Sequence, residues 1–274
     1  MGSGDRTKMN TQVKVVFALT FVIHLISTLA YALRIAGVRT RRIAVSFAVF
    51  NILVLFSRTA NTFQAPLLAK HVERNILTGT STGIESDFRW LLFSATLATM
   101  VGLLLIPTFQ RLFARAIDSM DSYRSLPRLA FRLFSLSAWR QIREAASLPV
   151  KENITGLSWK QAPRGILIFQ AVATALLTVG VFASLYAGYL KPDLRVTANN
   201  LSPVVNALST ILLFLFIDPY LSFLTDDVVN GKATEARFRR SVVLLAASRL
   251  VGTLLAQLLL IPSARVIAKV AELL

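Results

Sequence analysis

The chain has no cysteine, which excludes disulfides, thiol catalysis and cysteine-ligated metal. It has only two histidines, His24 and His71, far apart and without metal-ligand spacing, so no metal site and no cofactor is expected. No nucleotide-binding glycine loop of the Walker type occurs. Acidic residues are few, 14 against 30 Lys and Arg, giving a formal charge of +16. What the chain has in excess is uninterrupted apolar sequence: 54% of its residues are hydrophobic and its mean hydropathy is +0.60. Lipid, not water, is the solvent for such a chain.

Six runs reach the length a membrane helix needs, about 20 residues: Val15–Ala36, Ile43–Leu68, Trp90–Phe113, Ile166–Leu190, Leu201–Leu224 and Ser241–Val270. Helices are the expected spans, because each must satisfy its own backbone in hydrocarbon. The first run, preceded by Lys8 and Lys14 and ending Ala30-Tyr31-Ala32, has some features of a signal peptide. Its length, the Arg-rich turn after it and the five later spans favour a retained helix.

The positive charge is unevenly placed. The first, third and fifth connections carry most of it: Arg34, Arg39, Arg41 and Arg42; a dense set from Arg111 to Arg164; then Lys232, Arg237, Arg239 and Arg240. That asymmetry argues against nucleic acid and, by the positive-inside rule, puts these connections in the cytoplasm and both termini outside. Within the long third connection, Tyr123–Ala146 sets leucines and Trp139 against five arginines. This basic amphipathic pattern suits the headgroups of an anionic leaflet.

Sliding the chain on itself by 155 positions returns Leu103–Pro107 as Leu258–Pro262, Tyr31-Ala32 as Tyr186-Ala187 and Asn51 as Asn206. A three-span unit repeated once must insert upside down the second time, a plan common among secondary transporters. The expected architecture is therefore all-α, six transmembrane helices in two inverted three-helix repeats. Residues 1–118 and 164–274 form the repeats, and 119–163 the basic cytoplasmic linker.

Charges inside spans are costly and normally face a cavity, a partner or a substrate. Arg58 lies in Ser57-Arg58-Thr59-Ala60-Asn61-Thr62-Phe63-Gln64, a polar lining on little more than two turns. Asn51, Arg58 and Thr62, spaced by seven and four, share one helix face. At a rise of about 1.5 Å per residue, Arg58 lies about 22 Å above the inner end of its span and Arg249 about 12 Å from the start of its own. Asp218, beside Pro219, reaches a similar depth to Arg249, and an Asp218–Arg249 ion pair is expected, with Asp218 alternatively an ion-coupling site. The proline is expected to break the fifth span and free backbone groups.

The run Leu29-Ala30-Tyr31-Ala32-Leu33-Arg34-Ile35-Ala36-Gly37-Val38-Arg39-Thr40, then Phe50-Asn51, Ser57-Arg58-Thr59, Asn61 and Gln64-Ala65-Pro66, resembles the Amj family, bacterial lipid II flippases alternate to MurJ. The most specific match covers Phe21 to Glu73. The resemblance implies a multi-pass protein of the bacterial cytoplasmic membrane. It would move the undecaprenyl-diphosphate-linked muropeptide of peptidoglycan synthesis from the inner to the outer leaflet by alternating access, not as an enzyme. Its partners would be membrane lipid, lipid II and cell-wall synthesis proteins. A diphosphate headgroup needs fixed positive charge and hydrogen-bonding walls. Arg58 and Arg249 are the intramembrane candidates and Arg34 the collector at the inner mouth, with Asn51, Ser57, Thr59, Asn61, Thr62 and Gln64 as the wall. An interior-negative potential favours outward movement of an anion by about 2.3 kcal/mol per charge per 100 mV.

Two other readings compete. A small-solute or ion transporter could use the same inverted scaffold. A polyprenyl-phosphate enzyme would need Asp226 and Asp227 to work with Glu85 and Asp87 around a divalent cation.

Overall fold

The computed structural model describes residues 11–79, 83–118 and 163–274. They form six long apolar helices able to cross a bilayer. Helices α1 (Thr11–Arg39), α2 (Ile43–Thr78), α3 (Ile84–Asp118) and α4 (Arg164–Leu190) are continuous. The fifth span, Pro192–Val229, is assembled from a short 3₁₀ turn, α5 (Arg195–Asn200), α6 (Ser202–Leu212), a π turn at Leu213–Ile217 and α7 (Asp218–Val229). The sixth is α8 (Glu235–Leu273). The amphipathic segment Tyr123–Ala146 falls outside the described residues.

All six spans are longer than their apolar runs. α1 alone, at 29 residues, rises about 43 Å against about 30 Å of hydrocarbon, so its ends reach the headgroups or it tilts. Pro66, Pro107 and Pro262 lie inside α2, α3 and α8 without interrupting them. Only at Pro219 does the ladder change. The proline has no N–H to give and its ring crowds the carbonyl four residues back, so the turn before it widens instead of breaking. The Asp218 N–H then reaches the Leu213 carbonyl, five residues back. The expected proline break is thus a π turn.

Two apolar cores stand at opposite ends of the bundle. One gathers Leu33, Ile35, Phe113, Ile117, Leu221, Phe238 and Leu245. The other gathers Val16, Leu68, Phe88, Leu92, Phe182, Leu260 and Ile267. The turn after α1, the helix ends that flank residues 119–162 and the turn before α8 all sit at the first core.

Between the cores lies a belt of buried polar groups that includes Thr20, His24, Thr28, Thr99, Gln170, Thr174, Thr178, Ser248 and Arg249. Most hydroxyls there need no outside partner. Thr20, Thr28, Thr99 and Thr178 donate to the carbonyl one turn back at 2.7 to 2.8 Å.

Small residues let the spans approach. Lipid gives helices little hydrophobic reason to associate, so close packing must do it. α1 packs most broadly on α3, where Gly102 abuts Thr28; α4 packs most broadly on α8, where Gly252 abuts Thr174 and the Ala171 carbonyl. The α1–α2 hairpin is tight for the same reason: Gly37 meets Ser46, whose hydroxyl donates to the Leu33 carbonyl at 2.8 Å. By contrast α2 and the fifth span are the least buried of the six and scarcely touch each other.

Candidate functional site

A cavity of about 370 Å³ opens between α2 and the fifth span, at the height of the polar belt. Each wall is a stripe at helical spacing. α1 contributes His24, Ser27, Tyr31 and Arg34; α2 contributes Asn51, Val54, Ser57, Arg58, Asn61 and Gln64. The fifth span contributes Asn206, Thr210, Phe214, Ile217 and Asp218, with Thr178 from α4 and Arg249 from α8. A site that draws on five of six spans is formed only by the folded bundle.

Eight of the residues expected from sequence line this cavity: Arg34, Asn51, Ser57, Arg58, Asn61, Gln64, Asp218 and Arg249. Thr59 and Thr62 do not. At 3.6 residues per turn, the α2 stripe centres near Val54 and Asn61, leaving Thr62 about 95° away and Thr59 on the far side. Both hydroxyls turn back onto their own helix, to the Leu55 and Arg58 carbonyls. The face drawn through Asn51, Arg58 and Thr62 is thus one edge of the true stripe. Arg58 is on that edge and consequently exposed.

The ion pair differs from expectation. Asp218 Oδ1 accepts from Arg34 Nη2 at 2.6 Å, not from Arg249. Asp218 opens α7 just after the π turn and faces the last turns of α1, whereas Arg249 turns toward Tyr31. The Arg34 guanidinium also lies 5.4 and 5.1 Å from the ring centres of Phe47 and Phe50. A planar cation lying against a pair of aromatic rings, closed by a carboxylate, is held in place and neutralised. The pair lines the cavity and joins α1 to α7.

Ser57 has a packing role besides its place in the wall. Its hydroxyl lies 3.3 Å from that of Ser27 and 3.5 Å from the Ile23 carbonyl, fastening α2 to α1. Tyr31 donates to Gln170 on α4 at 3.1 Å, and Gln170 donates to Thr174, so α1 and α4 are tied beneath the cavity.

His24, Ser27 and Tyr31 were not among the expected site residues. His24, Ser27, Tyr31 and Arg34 are spaced by three, four and three, which places them on one face of α1, and that spacing is the feature that would have found them.

The acidic residues offered for metal binding are engaged elsewhere. Glu85 pairs with Arg89 at 2.8 Å and Asp87 with His71 at 2.9 Å. Arg89 and Gln257 exchange side-chain to backbone hydrogen bonds between α3 and α8. Glu85 and Asp87 therefore sit toward the C-terminal end of α8, while Asp226 and Asp227 precede its start. The four carboxylates lie at opposite ends of the bundle and cannot share an ion.

Comparison with known proteins agrees with this architecture. The family model described as "Amj: Alternate to MurJ" matches residues 19–271. A curated relative, the lipid II flippase Amj of Bacillus subtilis (strain 168), is 35% identical over 264 residues, covering 95% of this chain and 97% of the relative. No solved structure matches the chain. Six apolar spans, the Tyr31–Arg34 and Asn51–Gln64 stripes around one cavity, and similarity over nearly the full length lead to one assignment: the chain belongs to the Amj, alternate to MurJ, family.

Proposed function

We propose that this protein is a lipid II flippase of the bacterial cytoplasmic membrane, moving the undecaprenyl-diphosphate-linked muropeptide from the inner to the outer leaflet. The observation that carries the reading is full-length similarity to a relative named for that activity. The cavity gives it a physical basis. The cargo headgroup is anionic and strongly hydrated, and its tail must stay in lipid. A polar cavity between two spans that barely touch offers both a lining and a sideways exit. Arg58 and Arg249 supply positive charge, and Asn51, Ser57, Asn61 and Gln64 supply hydrogen bonds.

The volume sets a condition on the mechanism. About 370 Å³ is near the lower end for small-ligand sites, too small for a disaccharide carrying a pentapeptide. The loaded state must therefore part α2 from the fifth span, and these are the two spans whose burial opposes it least. Alternating access follows if the two three-span halves, residues 1–118 and 164–274, are an inverted pair. The matching first-to-third packing in each half supports that arrangement. The end that bears the basic connections then faces the cytoplasm and both termini face out. Asp218, paired with Arg34, is the ion-coupling candidate.

The test is surface exposure of lipid II in cells depleted of their other flippases, read by cleavage with an externally added lipid-II-degrading toxin. Expression of this chain is expected to restore cleavage, and Arg58→Ala, made at equal level, to reduce it at least tenfold. Restoration by both would keep the function and remove Arg58 from the site. Restoration by neither, with normal membrane insertion, would favour the small-solute transporter to which the small cavity also corresponds.

A further inference from the structure

The cavity holds one buried cation that the fold does not balance. Arg34 has Asp218 and two aromatic rings. Arg249 has neither a carboxylate within ion-pair distance among the described residues nor a hydrogen-bond partner for Nε, and it is only 6% exposed. Its guanidinium carbon stands 6.0 Å from the Tyr31 ring centre, a contact that holds a cation in position without neutralising it.

A second buried group in the same cavity is also short of a partner. His24 Nδ1 makes no hydrogen bond, and His24 lies on the same α1 stripe as Tyr31, two turns along. The Asn206 side-chain oxygen, on the opposite wall, is a third such atom. The threonines around them are satisfied by their own helices, so Arg249 Nε and His24 Nδ1 stand out among the cavity's buried polar atoms; His71 Nδ1, outside the cavity, is also without a partner.

A desolvated, unpaired charge is among the most costly features a folded chain can carry, and within a membrane it marks a ligand or pathway. The missing partner must be an anion rich in acceptor oxygens. A phosphate presents these to the guanidinium fork in a bidentate fashion, and imidazole can donate from either nitrogen according to its tautomer. We propose that Arg249, with His24 lining the same cavity, is the diphosphate subsite, taking the anionic diphosphate of a polyprenyl-linked carrier. This rests on the flippase reading and deepens it. Arg34, already neutralised, does not hold the diphosphate in this state, and Arg58, at the rim of the stripe, meets the saccharide and peptide portion. Binding at Arg249 accordingly depends on the diphosphate and not on the sugar.

The experiment uses the purified full-length chain in nanodiscs, with undecaprenyl diphosphate, undecaprenyl monophosphate and undecaprenol as probes. Thermal stability and affinity are read together. Undecaprenyl diphosphate is expected to raise the melting temperature of the natural chain, the monophosphate to do so less and the alcohol not at all. Arg249→Met should lose that shift and weaken diphosphate binding at least tenfold, while melting no lower than the natural chain when no lipid is added. Arg249→Lys should keep part of the affinity, and Arg265→Met, an exposed arginine of the same helix outside the cavity, should change it less than threefold.

Equal diphosphate binding by Arg249→Met would overturn the subsite. So would a lower melting temperature of the lipid-free variant or its failure to fold, since the guanidinium would then be holding helices together. If the natural chain ignores undecaprenyl diphosphate yet exposes lipid II in cells, the subsite fails and the flippase stands. If it binds the diphosphate without exposing lipid II, the flippase reading fails instead.

Discussion

Asp218→Ala is expected to cut transport more than tenfold, and adding Arg34→Ala is expected to recover part of the loss. The reason is the asymmetry of a partly buried pair. Arg34 is 12% exposed and lies against two rings, whereas Asp218 is 37% exposed. Removing the carboxylate leaves a largely desolvated cation with no partner. The cost lies between the about 1 kcal/mol of an exposed pair and the about 3–5 kcal/mol of a buried one. Removing both ends deletes the charge together with its partner. The double variant also removes a tie between α1 and α7 at the cavity. Initial rates of lipid II exposure for the two single variants and the double variant give the coupling directly. Strictly additive losses would show that the contact does not matter to transport.

Gly252→Val should nearly abolish the folded protein. A Cβ at this position would lie 2.5 Å from the Ala171 carbonyl oxygen and 2.7 Å from the Thr174 Cβ, inside atomic contact and against backbone that cannot move aside. Valine adds two methyl groups beyond that Cβ. Overpacking of a close seam costs about 1–3 kcal/mol and sometimes more, and α4–α8 is one of the two broadest seams in the bundle. The monodisperse fraction after detergent extraction is the measurement, with Leu258→Val on the exposed side of the same helix as the control. A normal yield of Gly252→Val, melting as the natural chain does, would mean that α4 and α8 are not packed this closely.

The spans were legible because lipid demands long apolar helices and little else in a sequence mimics them. Their ends were not, since the last turns beyond Leu68 or before Trp90 are polar and meet headgroups, where hydropathy no longer distinguishes helix from loop. The polar run of α2 was also legible, but its face was drawn through only three residues. One wheel covering Asn51 to Gln64 would have moved Thr62 to the edge and brought in Val54. The partner of Asp218 was misread because depth along each helix was compared without the rotation of each helix. Arg34 reaches Asp218, whereas Arg249 is turned to Tyr31, about one turn of α1 away, and this follows from how the helices are rotated. Tyr31 was visible in the sequence as part of a resemblance and of a repeat. That it supports a cation becomes apparent only when α8 is laid beside α1.

The absence of native cysteine makes the most direct measurement simple. Cysteines placed at Asn61 on α2 and Thr210 on the fifth span face the same cavity, and a cleavable bifunctional thiol reagent can bridge them. Surface exposure of lipid II would be followed before bridging, after bridging and after cleavage of the tether. Loss of exposure on bridging and its return on cleavage is the predicted result, because the headgroup must pass between these two spans as they part. Undiminished exposure from a fully bridged protein would contradict it and place the path of the cargo elsewhere.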